Sequence, residues 1–161
     1  TKLNSLLLLE CNSLISVTLP KDIKVIPVGI FADCLALKEC IIPEGVEIIQ
    51  AHAFAGCESL TAVIIPEGVK EIQDNVFFLC SALKSITLPA SLESIGNLTF
   101  FECSALEEVT INATTPPEID NNLFDSASEQ LKIYVPAESV DAYKAADGWE
   151  QYENIIFAIE E

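Results

Sequence analysis

At 161 residues and 17.5 kDa, half of them hydrophobic and only 20% charged, the chain is too apolar to remain disordered and long enough for one domain with its own core. Its 25 acids face 8 lysines and no arginine, for a formal charge of −17; this excludes nucleic acid and anionic membrane surfaces as partners, because both are held by clustered Lys and Arg. The longest apolar runs, Leu6–Leu9, Val76–Cys80 and Ile155–Ile159, fall far short of the roughly 20 residues that cross a bilayer, so no membrane insertion is expected within this segment.

From the start of the chain, Thr1-Lys-Leu-Asn-Ser-Leu lacks the charged start, apolar stretch and small-residue cleavage site of a signal peptide. Methionine is absent, so the chain is expected to be a processed or truncated product, with further repeats ahead of Thr1. A period then governs most of the sequence. Cys11, Cys34, Cys57, Cys80 and Cys103 each follow the last by 23 residues, the mark of a repeat array. Three residues before them stand Leu8, Phe31, Phe54, Phe77 and Phe100; three after stand Leu14, Leu37, Leu60, Leu83 and Leu106. Val17, Cys40, Val63, Ile86 and Val109 follow, then Leu19, Ile42, Ile65, Leu88 and Ile111, then Pro20, Pro43, Pro66, Pro89 and Asn112. Past the proline, Ile23, Val46, Val69 and Leu92 lead to Ile26, Ile49, Ile72 and Ile95.

Each column has a physical reading. The Leu-x-x-Val-x-Ile-Pro stretch alternates apolar and variable positions as a half-buried strand does, and the proline, which cannot donate to a ladder, closes it. The Val-x-x-Ile segment fits a second short extended piece. Phe-x-x-Cys-x-x-Leu repeats its apolar positions every third residue, which predicts a tight 3₁₀ or short α turn. Each coil then lies beside its predecessor at about 4.8 Å, and neighbouring coils bury the apolar face that no coil buries alone.

The last third departs from the period. Ala113-Thr-Thr-Pro-Pro-Glu-Ile119 reads as a turn-rich insertion, because paired prolines oppose helix and strand ladder alike. A degenerate coil follows: Leu123-Phe124 echoes the Phe column and Leu131-Lys-Ile-Tyr-Val-Pro136 the strand. Ala137 to Ala146 reads as a helix, with Val140, Tyr143 and Ala146 at helical spacing and Gly148 as its stop. Trp149, Tyr152 and Ile155 to Ile159 are expected to fold over the open end of the stack. The predicted architecture is an α/β repeat solenoid, β-rich with short 3₁₀ or helical turns. It is one domain of five regular repeats over about 3–112, a degenerate last repeat over 113–136 and a C-terminal helical cap over 137–161.

These columns resemble the BspA-like leucine-rich repeats, a proline-terminated 23-residue class of bacterial cell-surface proteins; the resemblance covers about residues 3 to 136, and Tyr-Val-Pro-Ala-Glu-Ser-Val-Asp-Ala-Tyr-Lys followed by a Trp resembles their usual ending. The resemblance implies a right-handed leucine-rich-repeat superhelix, secreted or at the cell surface, with a non-enzymatic role in adhesion. Cys40 in place of Val or Ile, Asn112 in place of proline, and a glycine after the last isoleucine only at Gly96 depart from the pattern.

The chemistry-bearing residues point the same way. The cysteine column is open to three readings: buried core, occasional disulfides or a metal. No C-x-x-C pair is present, zinc needs ligands converging on a point, and in-register cysteines point the same way, against the disulfide torsion. Packing as small hydrophobes is favoured. His52, the only histidine, falls in a variable column with Gly29, Asn75 and Leu98, so a solvent-facing position is expected rather than a catalytic one. Asp120 to Asp125 has closely spaced oxygen ligands but lacks the glycine and closing glutamate of a calcium loop. No cofactor is expected.

The outward strand positions carry the functional expectation. Thr18, Ile41, Ile64, Thr87 and Thr110 form a β-branched ladder, flanked by Lys38 and Lys84 among Ile15, Thr61 and Glu107. β-Branched residues suit any pleated surface, yet a solenoid's concave sheet is also its usual binding face. The expected role is a monomeric binding or adhesion module that recognises a protein or glycan through this face. A structural spacer within a longer surface protein is the alternative, and a hydrolase acting through paired carboxylates a lower one.

Overall fold

The structure, a computed structural model, describes residues 3–120 and 122–160. Each coil contributes three runs: an outer strand, a two-residue second strand and a turn segment. The outer strands are β1 (Ser16–Thr18), β3 (Glu39–Ile41), β5 (Ala62–Ile64), β7 (Ser85–Leu88), β9 (Glu108–Ile111) and β11 (Lys132–Val135). Between them lie β2 (Val25–Ile26), β4 (Ile48–Ile49), β6 (Glu71–Ile72), β8 (Ser94–Ile95) and β10 (Glu118–Ile119). A 3₁₀ turn at Ala137–Ser139 leads into helix α1 (Val140–Ala145); a second 3₁₀ segment, Glu150–Ile155, precedes β12 (Ile156–Ala158).

All pairing is parallel and in register. Ser16 sits beside Glu39, Glu39 beside Ala62 and Ser85 beside Glu108, each 23 positions on. The second strands form one five-stranded sheet, β2-β4-β6-β8-β10. The outer strands form two, β1-β3-β5 and β7-β9-β11-β12, with the ladder interrupted between β5 and β7. The proline column ends each outer strand as the sequence implies, since Pro20, Pro43, Pro66 and Pro89 all lie just beyond a strand.

The Phe-x-x-Cys segments, expected as a tight 3₁₀ or short α turn, are tight turns that do not extend into continuous helix. Turn hydrogen bonds of the expected span exist, such as Cys34 N–H to the Phe31 carbonyl and Leu37 N–H to Cys34. A left-handed residue stands two positions either side of each column Phe, however: Gly29 and Asp33, His52 and Gly56, Asn75 and Leu79, Leu98 and Glu102. These reversals unwind the helix and aim alternate peptides along the stack. Gly29, Phe31 and Asp33 donate to the Ala51, Ala53 and Ala55 carbonyls at 3.0, 2.9 and 2.7 Å, while Val28, Ile30 and Ala32 accept from Leu6, Leu8 and Glu10 of the preceding coil. The turn face is thus a third hydrogen-bonded ladder, its peptide dipoles aligned with N–H toward the C-terminal end. Stacking satisfies backbone groups that a burial of this kind cannot leave unpaired.

Inside the coil the side-chain columns touch. Phe31, Phe54, Phe77, Phe100 and Phe124 are all buried and stacked, with centroids 5.2, 5.5, 5.6 and 5.3 Å apart in turn. Tyr152 closes this aromatic column edge-on at 5.3 Å from Phe124.

The C-terminal third keeps more of the period than its sequence suggests. Lys132 pairs with Glu108 and Glu118 with Ser94, so this coil is longer by a single residue. The Pro116-Pro117 pair, read as opposing a ladder, instead precedes β10 directly. The described part of the expected cap, residues 137–160, is also more than a helical lid: β12 pairs with β11, Ile156 beside Ile133, and the 23-residue offset returns. The cap is therefore a remodelled coil with α1 inserted. It is latched by side chains that donate to carbonyls in the proline segment: Ser139 to Thr114, Tyr143 to Ala113 and Trp149 Nε1 to Pro117, each at 2.8 Å.

The stacked ring column predicts a large local cost of truncation. Phe77→Ala, in the middle of the column, is expected to lower stability by about 3–5 kcal/mol in urea unfolding; a loss below about 1 kcal/mol would mean that the rings do not pack as described.

Candidate functional site

The outward face of the outer strands is the candidate site, and pleating places it there. Successive strand residues point to opposite sides, so Val17, Cys40, Val63, Ile86 and Val109 turn inward while their neighbours face out. Thr18, Ile41 and Ile64 are register partners in the first sheet; Thr87 and Thr110 are partners in the second. Thr18, Lys38, Ile41, Ile64, Lys84 and Thr87 are exposed, and Thr110 is half-buried. Ile41 and Ile64, adjacent across β3 and β5, are 65% and 60% exposed. Ile15, immediately ahead of β1, is also 60% exposed.

Two residues of this face escape the sequence-based selection. Tyr134 pairs with Thr110 and Phe157 with Tyr134, so the outward column continues to the C-terminal end as two aromatic rings. Their centroids lie 6.1 Å apart with planes tilted by 40°. The signal was present for Tyr134, which follows the recognised Ile133 strand position. Phe157 was hidden because its segment reads as cap rather than coil.

The face carries shallow depressions rather than a deep cleft. One is lined by Lys84, Ser85, Glu107, Glu108, Lys132 and Tyr134, another by Glu108, Thr110, Tyr134, Ile159 and Glu160. A third follows the interrupted ladder, between Thr61, Ile64, Ser85 and Thr87. Glu39, Glu107 and Glu108 are all exposed on this face.

The other candidates are placed elsewhere. His52 is exposed at a left-handed turn position (φ 58°), and its N–H donates to the Asp74 carbonyl of the next coil. In the acidic 120–125 stretch, Leu123 and Phe124 are core residues and the Asp125 carbonyl accepts from Glu102 N–H; Asn121 lies outside the described residues. Among the described residues, no three His, Cys, Asp or Glu side chains converge on a point. On the second-strand side, Lys24 meets Glu47 and Lys70 meets Glu93, each at 3.4 Å and well exposed. Such pairs contribute at most about 1 kcal/mol.

The cysteine column has a definite role. Cys34, Cys57, Cys80 and Cys103 are buried and unpaired by disulfides. Each thiol donates to a backbone carbonyl of the preceding coil: Cys34 to Leu8 at 3.1 Å, Cys57 to Phe31 and Cys80 to Phe54 at 3.2 Å, Cys103 to Phe77 at 3.1 Å. The same Phe carbonyls accept the N–H of the cysteine three residues on, so both lone pairs are used. Cysteine suits the position because it is small, apolar and still a weak donor. Burial pushes the thiols of Cys40 and Cys103 up to about 12 and raises those of Cys34, Cys57 and Cys80 as well.

Comparison with known proteins bears on the fold and the setting. A family model described as the BspA type leucine-rich repeat region matches residues 1–138 in six copies. No curated protein matches the chain significantly in sequence. Among solved structures, a leucine-rich repeat protein of T. pallidum is similar at 28% identity, covering 89% of this chain and 68% of that one, with a TM-score of 0.68. A leucine-rich cell surface protein from Faecalibacterium prausnitzii is similar at 26% identity over 86% of this chain and 43% of that one, TM-score 0.58. The pneumococcal vaccine antigen PcpA, at 21% identity, shares the fold: 91% of this chain and 42% of that one superpose with a TM-score of 0.69. The chain thus spans less than half of the last two.

The buried thiols predict both reactivity and pH dependence. Alkylation of the native protein is expected to reach only the half-buried Cys11 readily, with the other five labelled on unfolding; fast labelling of Cys57 or Cys80 would contradict the thiol ladder. Folded thiols keep their protons where unfolded ones release them, so their contribution is complete below pH about 9 and declines as the pH rises toward about 12.

Proposed function

The chain belongs to the BspA-type leucine-rich repeat family, and from that premise we propose that it is a non-catalytic binding module of a bacterial cell surface that engages a protein or glycan through its outer-strand face. The observation that carries this reading is the pair Ile41 and Ile64. Two large aliphatic side chains stand side by side, 65% and 60% exposed, on a face whose register would accept threonine just as well, as it does at Thr18 and Thr87. Contiguous exposed apolar surface rimmed by charge is what interaction sites offer, and Lys38 and Glu39 supply the rim. The shallow depressions suit a broad, extended partner better than a buried small substrate.

A surface location is supported by the similarity to a leucine-rich cell surface protein. The strongly acidic character adds a constraint. Residues 112–161 carry 11 acids and 2 lysines, against 14 and 6 over residues 1–111. The terminal coils therefore repel other acidic surfaces, and repulsion discourages end-to-end association.

Substitution on the face separates binding from a spacer role. Ile41→Glu and Ile64→Glu, both at exposed positions, are expected to leave stability within about 0.5 kcal/mol while weakening capture on immobilised extracellular-matrix proteins or oligosaccharides about tenfold or more. Unchanged capture would remove these residues from the site. Absence of any capture by the wild-type chain would overturn the binding reading and favour a spacer.

A further inference from the structure

The C-terminal half of the outer-strand face differs chemically from the half that holds Ile41 and Ile64. There the column ends in Tyr134 and Phe157, the first half-buried and the second 42% exposed, with ring centroids 6.1 Å apart and planes tilted by 40°. Tyr134 stands on the ridge between two depressions and lines both; Glu108 does the same. On one side lie Lys84, Glu107 and Lys132, on the other Thr110 and Glu160. The Tyr134 ring is thereby bordered by hydrogen-bonding groups of both kinds, carboxylates that only accept, ammonium groups that only donate and hydroxyls that do either, and Phe157 extends the aromatic surface beside it.

We infer that this end of the face is a binding site for a neutral oligosaccharide, whose sugar rings lie on Tyr134 and Phe157 while Glu108, Lys132 and their neighbours take its hydroxyls. The inference rests on the reading of the outer strands as a binding face, and names the class of ligand for one part of it. Three observations select a neutral polyol. The first depression balances its charge, two lysines against Glu107 and Glu108, in a chain whose net charge is −17. A polyanion meets no net attraction there, and a basic peptide meets Lys84 and Lys132.

The rings supply the second observation. The negative face of an aromatic ring attracts the polarised C–H groups of a sugar's flat side, and a saccharide, unlike an aliphatic side chain, presents such a side together with a rim of hydroxyls. Ile41 and Ile64 offer no ring face, which sets the two halves apart. The third is repetition. Strands recur about every 4.8 Å, close to the length of one sugar unit, so consecutive sugars of a linear chain meet consecutive strands β9, β11 and β12.

The test is biolayer interferometry against immobilised cellohexaose, chitohexaose and maltohexaose, with a heparin hexasaccharide as the anionic comparison. At least one neutral hexasaccharide is expected to bind, and more tightly than heparin does. Tyr134→Ala should weaken that binding about tenfold, equivalent to ~1.4 kcal/mol, whereas Tyr134→Phe, which keeps the ring, stays within about twofold. Glu108→Gln and Phe157→Ala should each weaken it several-fold while the circular dichroism spectrum stays that of the wild-type chain. Failure of the wild-type chain to bind any of the three neutral sugars overturns the inference, as does tighter binding of heparin or full binding by Tyr134→Ala. If the sugars fail while a protein partner is still lost with Ile41→Glu, the saccharide site falls and the binding face stands. If the sugars bind through Tyr134 while Ile41→Glu has no effect on any ligand, the saccharide site stands and the aliphatic pair is not part of the site.

Discussion

The structure depends on one constraint: every coil must present the same backbone outline to the next. On the outer strands (save at the break between β5 and β7), on the second strands and on the turn face, the polar backbone groups find their partners in the neighbouring coil. A buried N–H or C=O left unpaired costs on the order of 1–3 kcal/mol, so a coil of different length must absorb the difference between its paired runs, as the coil with one extra residue does. Register of the paired runs is therefore selected before any side chain is. Once it is fixed, identical positions meet along the stack, and residues that pack well against copies of themselves become columns: flat phenylalanine rings, branched aliphatics on the strands, thiols that reach a carbonyl of the coil before.

The parts that were legible in the sequence follow from this. A column is a repeated side chain, and repetition is visible without coordinates. The strands, their closing prolines, the second extended pieces and the stacked phenylalanines could all be placed from spacing. The turns could not, because their conformation resides in the backbone: Gly29, His52, Asn75 and Leu98 share a left-handed φ but no chemistry, so the column looks random. Threefold apolar spacing alone suggested a tight 3₁₀ or short α turn, without the left-handed reversals. The role of the thiols was half visible; burial was implied by the column, whereas the bond to a carbonyl 26 residues earlier is a matter of direction.

The C-terminal end illustrates the other limit. Its helix and its Gly148 stop obey local rules and were found; β12 obeys only the long-range register and was not. Three residues, Ile156, Phe157 and Ala158, are too few to announce a strand, and they pair because β11 leaves an edge open beside them. For the same reason the outward column seemed to end at Thr110, when it runs on to two aromatic rings. The constraint that fixes the inward positions leaves the outward ones free, and there the differences between coils accumulate. Aliphatic residues gather in the first sheet and aromatic and balanced charged groups in the second, so that one regular scaffold presents two kinds of surface.

The central claim, that register and not local sequence holds the chain together, is tested most directly by deletion. Removal of residues 58–80, one full period, joins Cys57 to Ser81 and restores every column; removal of residues 58–69 alone, about half a period, joins Cys57 to Lys70 and sets a second strand where an outer strand belongs. Thermal unfolding followed by circular dichroism should give a cooperative transition and β-rich spectrum for the full-period deletion, and neither for the shorter one. Equal folding of the two deletions, or failure of both, would contradict the account.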